Sequence, residues 1–170
     1  MNRIMIVGCP GAGKTTFANK LGLKLSIPVH HLDKHFWKEN KKPTPQIDFI
    51  QKQNELMKEE KWILDGNFTK TIENRLTVAD TIILFDFSKN IIIFRYFKRL
   101  ITNFGKVRPD MGGNNRTFFN WKSFKFILNF PIKEIHSLLG KFKDSKDKKI
   151  IIFHNPKEVD EFLSKISPNT

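Results

Sequence analysis

Four residues near the start of the chain have the types and the spacing that bind phosphate groups. Gly8, Gly13, Lys14 and Thr15 satisfy the pattern G-x-x-x-x-G-K-[ST], which defines a P-loop. Glycines allow such a loop to turn tightly, so that several backbone N–H groups point at one phosphate. In this pattern the lysine would bridge the β- and γ-phosphates of a nucleoside triphosphate, and the threonine hydroxyl would bind Mg²⁺. The predicted nucleotide contacts in the loop are Gly8, Cys9, Pro10, Gly11, Ala12, Gly13, Lys14, Thr15 and Thr16.

The residues on either side of this loop predict the strand and the helix that a P-loop requires. Residues 4–7 form a short apolar run, which is typical of a strand buried on both faces. Beyond Lys14, the side chains of Phe17, Ala18 and Leu21 would share one face of a helix. The first turn of that helix adds unpaired N–H groups and the positive end of the helix dipole, and both attract phosphate.

The rest of the chain alternates between predicted strands and predicted helices. Further short apolar runs predict strands over residues 29–32, 62–65, 80–86 and 149–153. Five strands alternating with helices indicate an α/β fold with three layers and a parallel sheet. The length of 170 residues fits a single domain over residues 1–170.

Apolar spacing and breaker residues predict the other helices and the loops. One helix would begin near Pro45 and bury Ile47, Ile50, Leu56 and Met57. Another would follow a cap at Ser88, and two more would span residues 118–130 and 156–166. We predict loops or linkers over residues 34–45, 103–117 and 141–149, because these segments are polar and contain Pro, Gly or a run of charges.

Several residues that could do chemistry follow the predicted strands. They are Gly8, Asp33, Asp65, Asp86 and His154. In open parallel sheets, ligands bind beyond the carboxyl ends of the strands. We therefore expect these residues to rim one cleft.

Three histidines lie close together in the sequence around the second predicted strand. His30, His31 and His35 could form a metal site, but no matching cluster of carboxylates accompanies them, which argues against that interpretation. Phe36 and Trp37 would cover a pocket or pack on the core.

The chain is strongly basic, with 30 Lys and Arg residues, 17 Asp and Glu residues and a formal net charge of +13. Such a charge favours an anionic partner, either a nucleotide or a nucleic acid. The chain is also rich in Lys, Ile, Asn and Phe throughout, so a general bias of composition is an equally good explanation. Both explanations stay open.

The single cysteine excludes an intrachain disulfide and a cysteine zinc cluster. Cys9 lies in the P-loop, where we interpret it as a small loop residue rather than a redox group. No apolar run approaches the ~18–20 residues that span a membrane. The chain enters its first strand directly, from which we expect no signal peptide and a cytoplasmic location.

In several stretches the sequence resembles the adenylate-kinase-like branch of P-loop kinases, and within it the small group of topology-modulation (FlaR-type) proteins. Besides the P-loop, the matching stretches are His-Leu-Asp at 31–33, Trp-Ile-Leu-Asp-Gly-Asn at 62–67, Arg-Pro-Asp-Met-Gly at 108–112, and the fifth strand with its Asn-Pro. The resemblance implies a three-layer α/β/α fold with a five-stranded parallel sheet in the order 2-3-1-4-5. It also implies ATP and Mg²⁺ as cofactors, and a short lid, over about 103–117, that carries arginines.

The resemblance further implies roles for the acidic residues. Asp65 would hold Mg²⁺ through water, together with Thr15; Asp86 is the other candidate acid, but it could simply cap the next helix. Asp33 would bind an acceptor hydroxyl or act as a base. The implied acceptor contacts are Asp33, Asp65, Gly66, Asn67 and Arg75, although Arg75 could equally be a surface charge.

The remaining implied roles concern arginines and the adenine base. Arg95 and Arg99 would stack on the adenine and contact the phosphates, unless they form a solvated basic face one turn apart. Arg108 and Arg116 would close with the lid over the transferring phosphoryl group. His154, Asn155 and Pro156 would border the base. The implied catalytic set is Lys14, Asp33, Arg95, Arg99, Arg108 and Arg116.

The sequence also departs from the adenylate-kinase pattern. Those enzymes follow Asp-Gly with Phe-Pro-Arg, whereas here the residues are Asn67, Phe68 and Thr69. The arginine that grips the acceptor monophosphate is therefore missing unless Arg75 supplies it, which makes adenosine monophosphate a doubtful acceptor. The lid has no cysteine, so it carries no structural zinc.

The leading hypothesis is an ATP- and Mg²⁺-dependent phosphotransferase that acts on a small acceptor. The alternative is a nucleic-acid-associated or regulatory P-loop ATPase. Residues 87–127 support this alternative, because they contain nine basic residues and a single acid, Asp110. Phe residues and Trp121 are interspersed among the basic residues, which is typical of a surface that binds single-stranded nucleic acid. A third hypothesis is a nucleotide-binding switch without turnover.

Overall fold

The strands form one parallel sheet at the centre of the molecule. The computed structural model describes residues 1–107, 110, 112–113, 115–143, 145 and 147–167. Within these residues the strands are β1 (Arg3–Gly8), β2 (Val29–His31), β3 (Trp62–Asp65), β4 (Thr81–Phe85) and β5 (Lys149–Phe153). They pair in the order β2-β3-β1-β4-β5, and every pairing is parallel. The predicted α/β fold and strand order are confirmed.

Helices cover both faces of this sheet. In the described part of the chain they are α1 (Lys14–Leu25), α2 (Leu32–Phe36), α3 (Gln46–Met57), α4 (Ile72–Val78), α5 (Lys89–Thr102), α6 (Trp121–Leu128), α7 (Ile132–Gly140) and α8 (Pro156–Lys165). Two short 3-10 helices, Glu39–Lys41 and Thr69–Thr71, lie in the loops after α2 and β3. None of the described helices is both long and apolar enough to cross a membrane.

Strand β1 anchors two separate hydrophobic cores because its side chains alternate between the faces of the sheet. Ile4 and Ile6 belong to the core beneath α1, α5 and α8. Met5 and Val7 belong to the core beneath α3, α4 and α7. All four side chains are completely buried, as the apolar run predicted. The P-loop therefore extends from the most deeply packed strand of the sheet.

Two sequence predictions for the segment between β2 and β3 were wrong in part, although α3 begins beside Pro45 as predicted. Residues 34–45 were expected to be a loop, but α2 continues to Phe36 and begins at Leu32, which was assigned to the strand. A helix of five residues is too short to show a helical period in the sequence. In α3, Ile47 is 71% exposed, whereas Phe49 and Gln53 are buried.

Other helices differ from the predictions at their bounds or were not predicted. Helices α4 and α7 were not predicted. Helix α4 is short, and its buried apolar residues are one pair, Ile72 and Leu76. Helix α7 has four apolar residues at helical spacing, which the sequence predictions overlooked: Ile132, Ile135, Leu138 and Leu139. Helix α6 begins at Trp121 because the Asn120 side chain accepts a hydrogen bond from the backbone N–H of Ser123. Ser88 precedes α5 as predicted, but its side chain makes no capping hydrogen bond.

Arg75 of α4 supports the loop that follows β3. Its guanidinium donates hydrogen bonds to the carbonyl oxygens of Gly66 at 2.6 Å, Asn67 at 2.6 Å and Phe68 at 3.1 Å. Burial lowers the pKa of Arg75 to about 9, so the side chain stays charged at neutral pH. The side chain is completely buried, so the acceptor contact proposed for it is corrected: Arg75 holds the loop backbone from beneath.

The described residues of segment 103–117 fold back onto the segment that follows β2. Asn115 is buried, and its side chain accepts a hydrogen bond from the backbone N–H of Lys41 at 2.9 Å. The same side chain donates to the carbonyl oxygens of Lys38 at 3.1 Å and Gly112 at 2.5 Å. Gly112 and Gly113 lie so close to the backbone of residues 34–39 that a Cβ atom on either would overlap it. One side chain therefore connects the two segments.

We expect Arg75→Met to lower the free energy of unfolding by about 2–4 kcal/mol, because three carbonyl oxygens lose a charged donor. Urea unfolding measures the change. The control is Lys70→Met, which alters an exposed charge in the neighbouring 3-10 helix and should cost less than about 0.5 kcal/mol. Equal effects of the two substitutions would contradict a supporting role for Arg75.

We expect Asn115→Ala to release segment 103–117 from the segment after β2 without unfolding the sheet. The amide of Lys41 should then exchange its hydrogen about tenfold faster or more, since one lost buried bond costs roughly 1.4 kcal/mol or more. Hydrogen exchange with mass spectrometry measures this. In the control Asn129→Ala, which removes only a bond within its own helix end, the Lys41 amide should exchange at its original rate.

Candidate functional site

The P-loop connects β1 to α1, and three glycines set its course. Gly8, Gly11 and Gly13 have φ values of 141°, 94° and 98°. At Gly8 a Cβ atom would also come within 2.5 Å of the carbonyl oxygen of Phe85 in β4, so only glycine fits. Helix α1 begins without a side-chain cap and without an acid in its first turn. Its first N–H groups are therefore available to an anion.

Lys14 folds back over the loop that precedes it. Its ammonium donates to the carbonyl oxygens of Gly8 at 2.8 Å and Cys9 at 3.2 Å. Burial lowers the pKa of Lys14, and the carboxylates of Asp65 and Asp33 oppose that shift. Lys14 is thus the positive charge between the two acids that were expected on opposite sides of the cleft.

Thr15 and Asp65 meet at the foot of the loop. The Thr15 hydroxyl donates to Oδ2 of Asp65 at 2.8 Å, and Asp65 ends β3, beside β1. A hydroxyl and a carboxylate offer the oxygen ligands that Mg²⁺ prefers, either directly or through water. These residues therefore fit the metal that the resemblance implies. Asp86 lies elsewhere, with Oδ2 at 2.8 Å from Nε2 of His136, and it does not cap α5.

The histidines do not form a cluster of their own. Nε2 of His30 lies 3.0 Å from Oε2 of Glu59, whereas Nδ1 of His31 lies 3.0 Å from Oδ2 of Asp65. Among the described residues, no group of three or more His, Cys, Asp or Glu could hold a metal ion. The alternative of a histidine metal site receives no support from this geometry.

Arg95 and Arg99 lie on the side of α5 that faces the P-loop. Nη1 of Arg95 donates to the carbonyl oxygen of Ala12 at 2.8 Å, and its guanidinium lies 5.7 Å from the ring centre of Phe87. Arg99 lies 5.9 Å from the ring centre of Tyr96, and its charge lowers the pKa of Lys14 slightly. Both arginines are only partly exposed. A purely solvated basic face does not describe them.

A cleft of about 140 Å³ adjoins the helical side of the P-loop. It lies between α1, Arg95 and the start of α8, and Pro156 lines it. Asn155 instead caps α8, because its side chain accepts from the backbone N–H of Glu158. The backbone N–H of His154 donates to Oε2 of Glu158. Of the three residues expected around the base, Pro156 is the one that reaches this cleft.

A larger depression of about 520 Å³ lies at the other end of α1, around Gly22 and Pro28. It is remote from the P-loop and lined mainly by apolar atoms, so we do not assign it to the chemistry.

The residues expected on the acceptor side lie on α2 and on the loop after β3. Asp33 lies in the first turn of α2, and its charge opposes the lowering of the Lys14 pKa by burial. The ring of Phe36 packs 4.8 Å from that of Phe68 and 4.7 Å from that of Trp37. Phe36 thus packs on the core and also forms a wall beside the loop that carries Asn67.

The structure describes one of the two arginines that were expected in the lid. Arg116 is exposed, and its Nη1 lies 3.4 Å from the carbonyl oxygen of Gly105, so it is not held at the P-loop. Arg108 lies outside the described residues. The expected position of both over a transferring group stays a prediction.

Sequence reasoning missed three supporting contacts. The side-chain oxygen of Asn67 accepts a hydrogen bond from the backbone N–H of Gly8 at 3.0 Å, which ties the loop after β3 to the P-loop. His31 binds Asp65, and Arg75 holds the loop of Asn67. The stretch Asp-Gly-Asn marked Asn67 as a residue of the site, but it did not indicate the bond to Gly8. No local signal indicated the partners of His31 and Arg75.

Cys9 has no exposed reactive thiol. Burial raises the pKa of the Cys9 thiol to about 11, and its sulfur lies 3.8 Å from the carbonyl oxygen of Ile127. This geometry agrees with its interpretation as a small loop residue.

Comparison with known proteins supports the fold. No protein-family model matches the sequence, and no curated protein matches it. A shikimate kinase from Bacteroides thetaiotaomicron has a solved structure that matches with a TM-score of 0.57 and 15% identity, over 96% of this chain and 95% of that chain. A sugar kinase from Janibacter sp. HTCC2649 matches with a TM-score of 0.51 and 14% identity, over 98% and 94%. The chain therefore shares the α/β fold of these two structures, while its resemblance to P-loop kinases of the topology-modulation group stays a prediction.

Proposed function

We propose that the protein is an ATP- and Mg²⁺-dependent kinase that transfers the γ-phosphoryl group to a hydroxyl of a small acceptor. The hydrogen bond between Thr15 and Asp65, directly beneath the P-loop, carries this proposal. The bond brings a hydroxyl and a carboxylate together at the carboxyl edge of a parallel sheet, where ligands of such folds bind, and oxygen groups of these types suit Mg²⁺. The two solved structures above are named as kinases, which is consistent with the proposal.

In the proposed reaction the residues of the chain mainly position and neutralise charge. The P-loop N–H groups and the start of α1 bind the phosphates. Lys14 exchanges its two loop carbonyls for β- and γ-phosphate oxygens. Mg²⁺, when bound, would neutralise phosphate charge, and the Thr15 hydroxyl and the Asp65 carboxylate would hold it. Arg95 and Arg99 add positive charge along the opposite side.

The acceptor would be oriented on the α2 side of the cleft. Its hydroxyl oxygen forms a bond to the γ-phosphorus while the bond from that phosphorus to the β,γ-bridging oxygen breaks. The hydroxyl proton passes to the Asp33 carboxylate, and ADP leaves. We also propose that segment 103–117 is the lid of a single domain and excludes water during transfer.

We expect Lys14→Ala to lower the rate of phosphoryl transfer by about a thousandfold and to leave the protein folded, because a charge aimed at the transferring group is lost. ADP release with ATP, Mg²⁺ and a panel of small hydroxyl compounds measures the rate, and circular dichroism checks the fold. The control variant Lys61→Ala, which removes an exposed charge, should transfer the phosphoryl group at the wild-type rate. Undiminished transfer by Lys14→Ala would rule out the proposed role of the P-loop lysine, and a wild-type protein that releases ADP equally with and without every acceptor would rule out the kinase proposal.

A nucleic-acid-associated ATPase is the second candidate, and exposed aromatic residues in and between α5 and α6 favour it. Phe94, Phe104 and Trp121 are 68%, 63% and 65% exposed. Exposed lysines lie among them on α5 and α6, such as Lys98 and Lys122. Aromatic rings among basic side chains can stack on bases and contact phosphates. The overall excess of Lys and Phe explains the same surface without a nucleic acid.

The two functions differ in what stimulates ATP turnover. For a kinase, we expect a single-stranded oligonucleotide to leave ADP release unchanged, whereas the correct small acceptor increases it. Turnover that rises with the oligonucleotide, and loses that rise steeply between about 50 and 200 mM salt, would favour the ATPase. An oligonucleotide of mixed sequence and an acceptor-free reaction are the controls.

A further inference from the structure

We propose that His31 is a positioning residue that holds the Asp65 carboxylate in the orientation that Mg²⁺-bound nucleotide requires. This inference rests on the proposed function. It concerns a residue for which the sequence suggested only membership of a histidine cluster.

The sheet places the two residues side by side. His31 ends β2 and Asp65 ends β3, and they are directly paired in the parallel register. His31 is 8% exposed and Asp65 is 6% exposed, so solvent competes little with the contact between them. Nδ1 of His31 lies 3.0 Å from Oδ2 of Asp65.

The direction of this hydrogen bond follows from the groups involved. An ionised carboxylate only accepts, so Nδ1 of His31 carries the hydrogen and donates it. On the other side of the ring, Nε2 lies 3.0 Å from Oδ1 of Asn19 in α1. The Asn19 amide can be oriented with either its oxygen or its nitrogen toward the ring, and Nδ1 donates to Asp65 in both cases. Asn19 therefore fixes the plane of the imidazole.

Oδ2 of Asp65 receives hydrogen bonds from two directions. The Thr15 hydroxyl binds it from α1, and His31 binds it from β2. With both bonds in place, rotation of the carboxylate is restricted, and Oδ1 is left for a water molecule of the metal ion.

Without His31, the Lys14 ammonium can compete with Thr15 for the Asp65 carboxylate. The carboxylate of Asp65 already attracts the Lys14 ammonium, and this attraction opposes the lowering of the Lys14 pKa by burial. An Asp65 side chain freed on one side can turn toward that ammonium and away from Thr15. Such a turn would weaken the metal site and withdraw Lys14 from the phosphates.

The test compares three substitutions of His31. Asparagine keeps an N–H group close to the position of Nδ1, and glutamine reaches toward Asn19 without a donor at that position. Leucine removes both contacts at similar volume. The control is His30→Leu, which changes the preceding histidine, whose ring faces Glu59 instead. Urea unfolding shows which variants fold.

The readout is the binding of a fluorescent ATP analogue, titrated once with Mg²⁺ and once with EDTA. We expect His31→Leu and His31→Gln to lose about tenfold of the affinity that Mg²⁺ adds, which is the usual effect of removing a partner of a metal ligand. In EDTA their affinities should match the wild type. His31→Asn and His30→Leu should stay within about twofold under both conditions.

Several outcomes would overturn the inference. If His31→Asn is as defective as His31→Gln, the donor at Nδ1 is not what matters. If affinity falls equally with Mg²⁺ and with EDTA, His31 is a packing residue. If His31→Leu does not fold, the comparison of Asn with Gln decides. A wild-type protein whose nucleotide affinity does not respond to Mg²⁺ would instead refute the proposed function, independently of His31.

Discussion

The hydrogen bond from Thr15 to Asp65 is the contact on which the candidate site depends. It joins the first turn of α1 to the end of β3, and so adds a polar contact to the apolar packing of α1 on the sheet at the end where phosphate is proposed to bind. Three further contacts restrain the residues around this bond. His31 restrains Asp65, Asn67 binds the backbone of Gly8, and Arg75 holds the loop that carries Asn67. Each restrains a group that would otherwise move freely near the phosphates.

The sequence predicted the parts of the site whose residues are consecutive. The P-loop, β1 and α1 are encoded within residues 3–25, where apolar spacing, glycines and the Lys-Thr pair all agree. The order of the strands came from a resemblance, and the structure confirms it. Asp65 was found because an acid at the end of a strand is itself a local pattern.

What the sequence missed depends on contacts between distant residues. Arg75 had two equally good interpretations in the sequence, an acceptor contact and a surface charge, and its burial beneath residues 66–68 excludes both. His31 was grouped with His30 and His35 by proximity in the chain, whereas the register of β2 with β3 separates their partners. Helices α2 and α4 were missed because five to seven residues give too little periodicity to recognise. Helix α7 was overlooked although its apolar residues have a helical spacing.

The place of β2 in the sheet bears on how this protein could acquire new substrates. β2 has three residues and forms the edge of the sheet, and the segment after it carries Asp33 and the wall of Phe36 and Trp37. The proposed phosphate-binding residues extend instead from β1 and β3, which have neighbours on both sides. At the edge, His31 and Asp33 have proposed roles in metal binding and transfer, whereas Phe36 and Trp37 have none. In the proposed kinase, evolution could therefore change the acceptor by replacing these two rings while keeping His31, Asp33 and the P-loop.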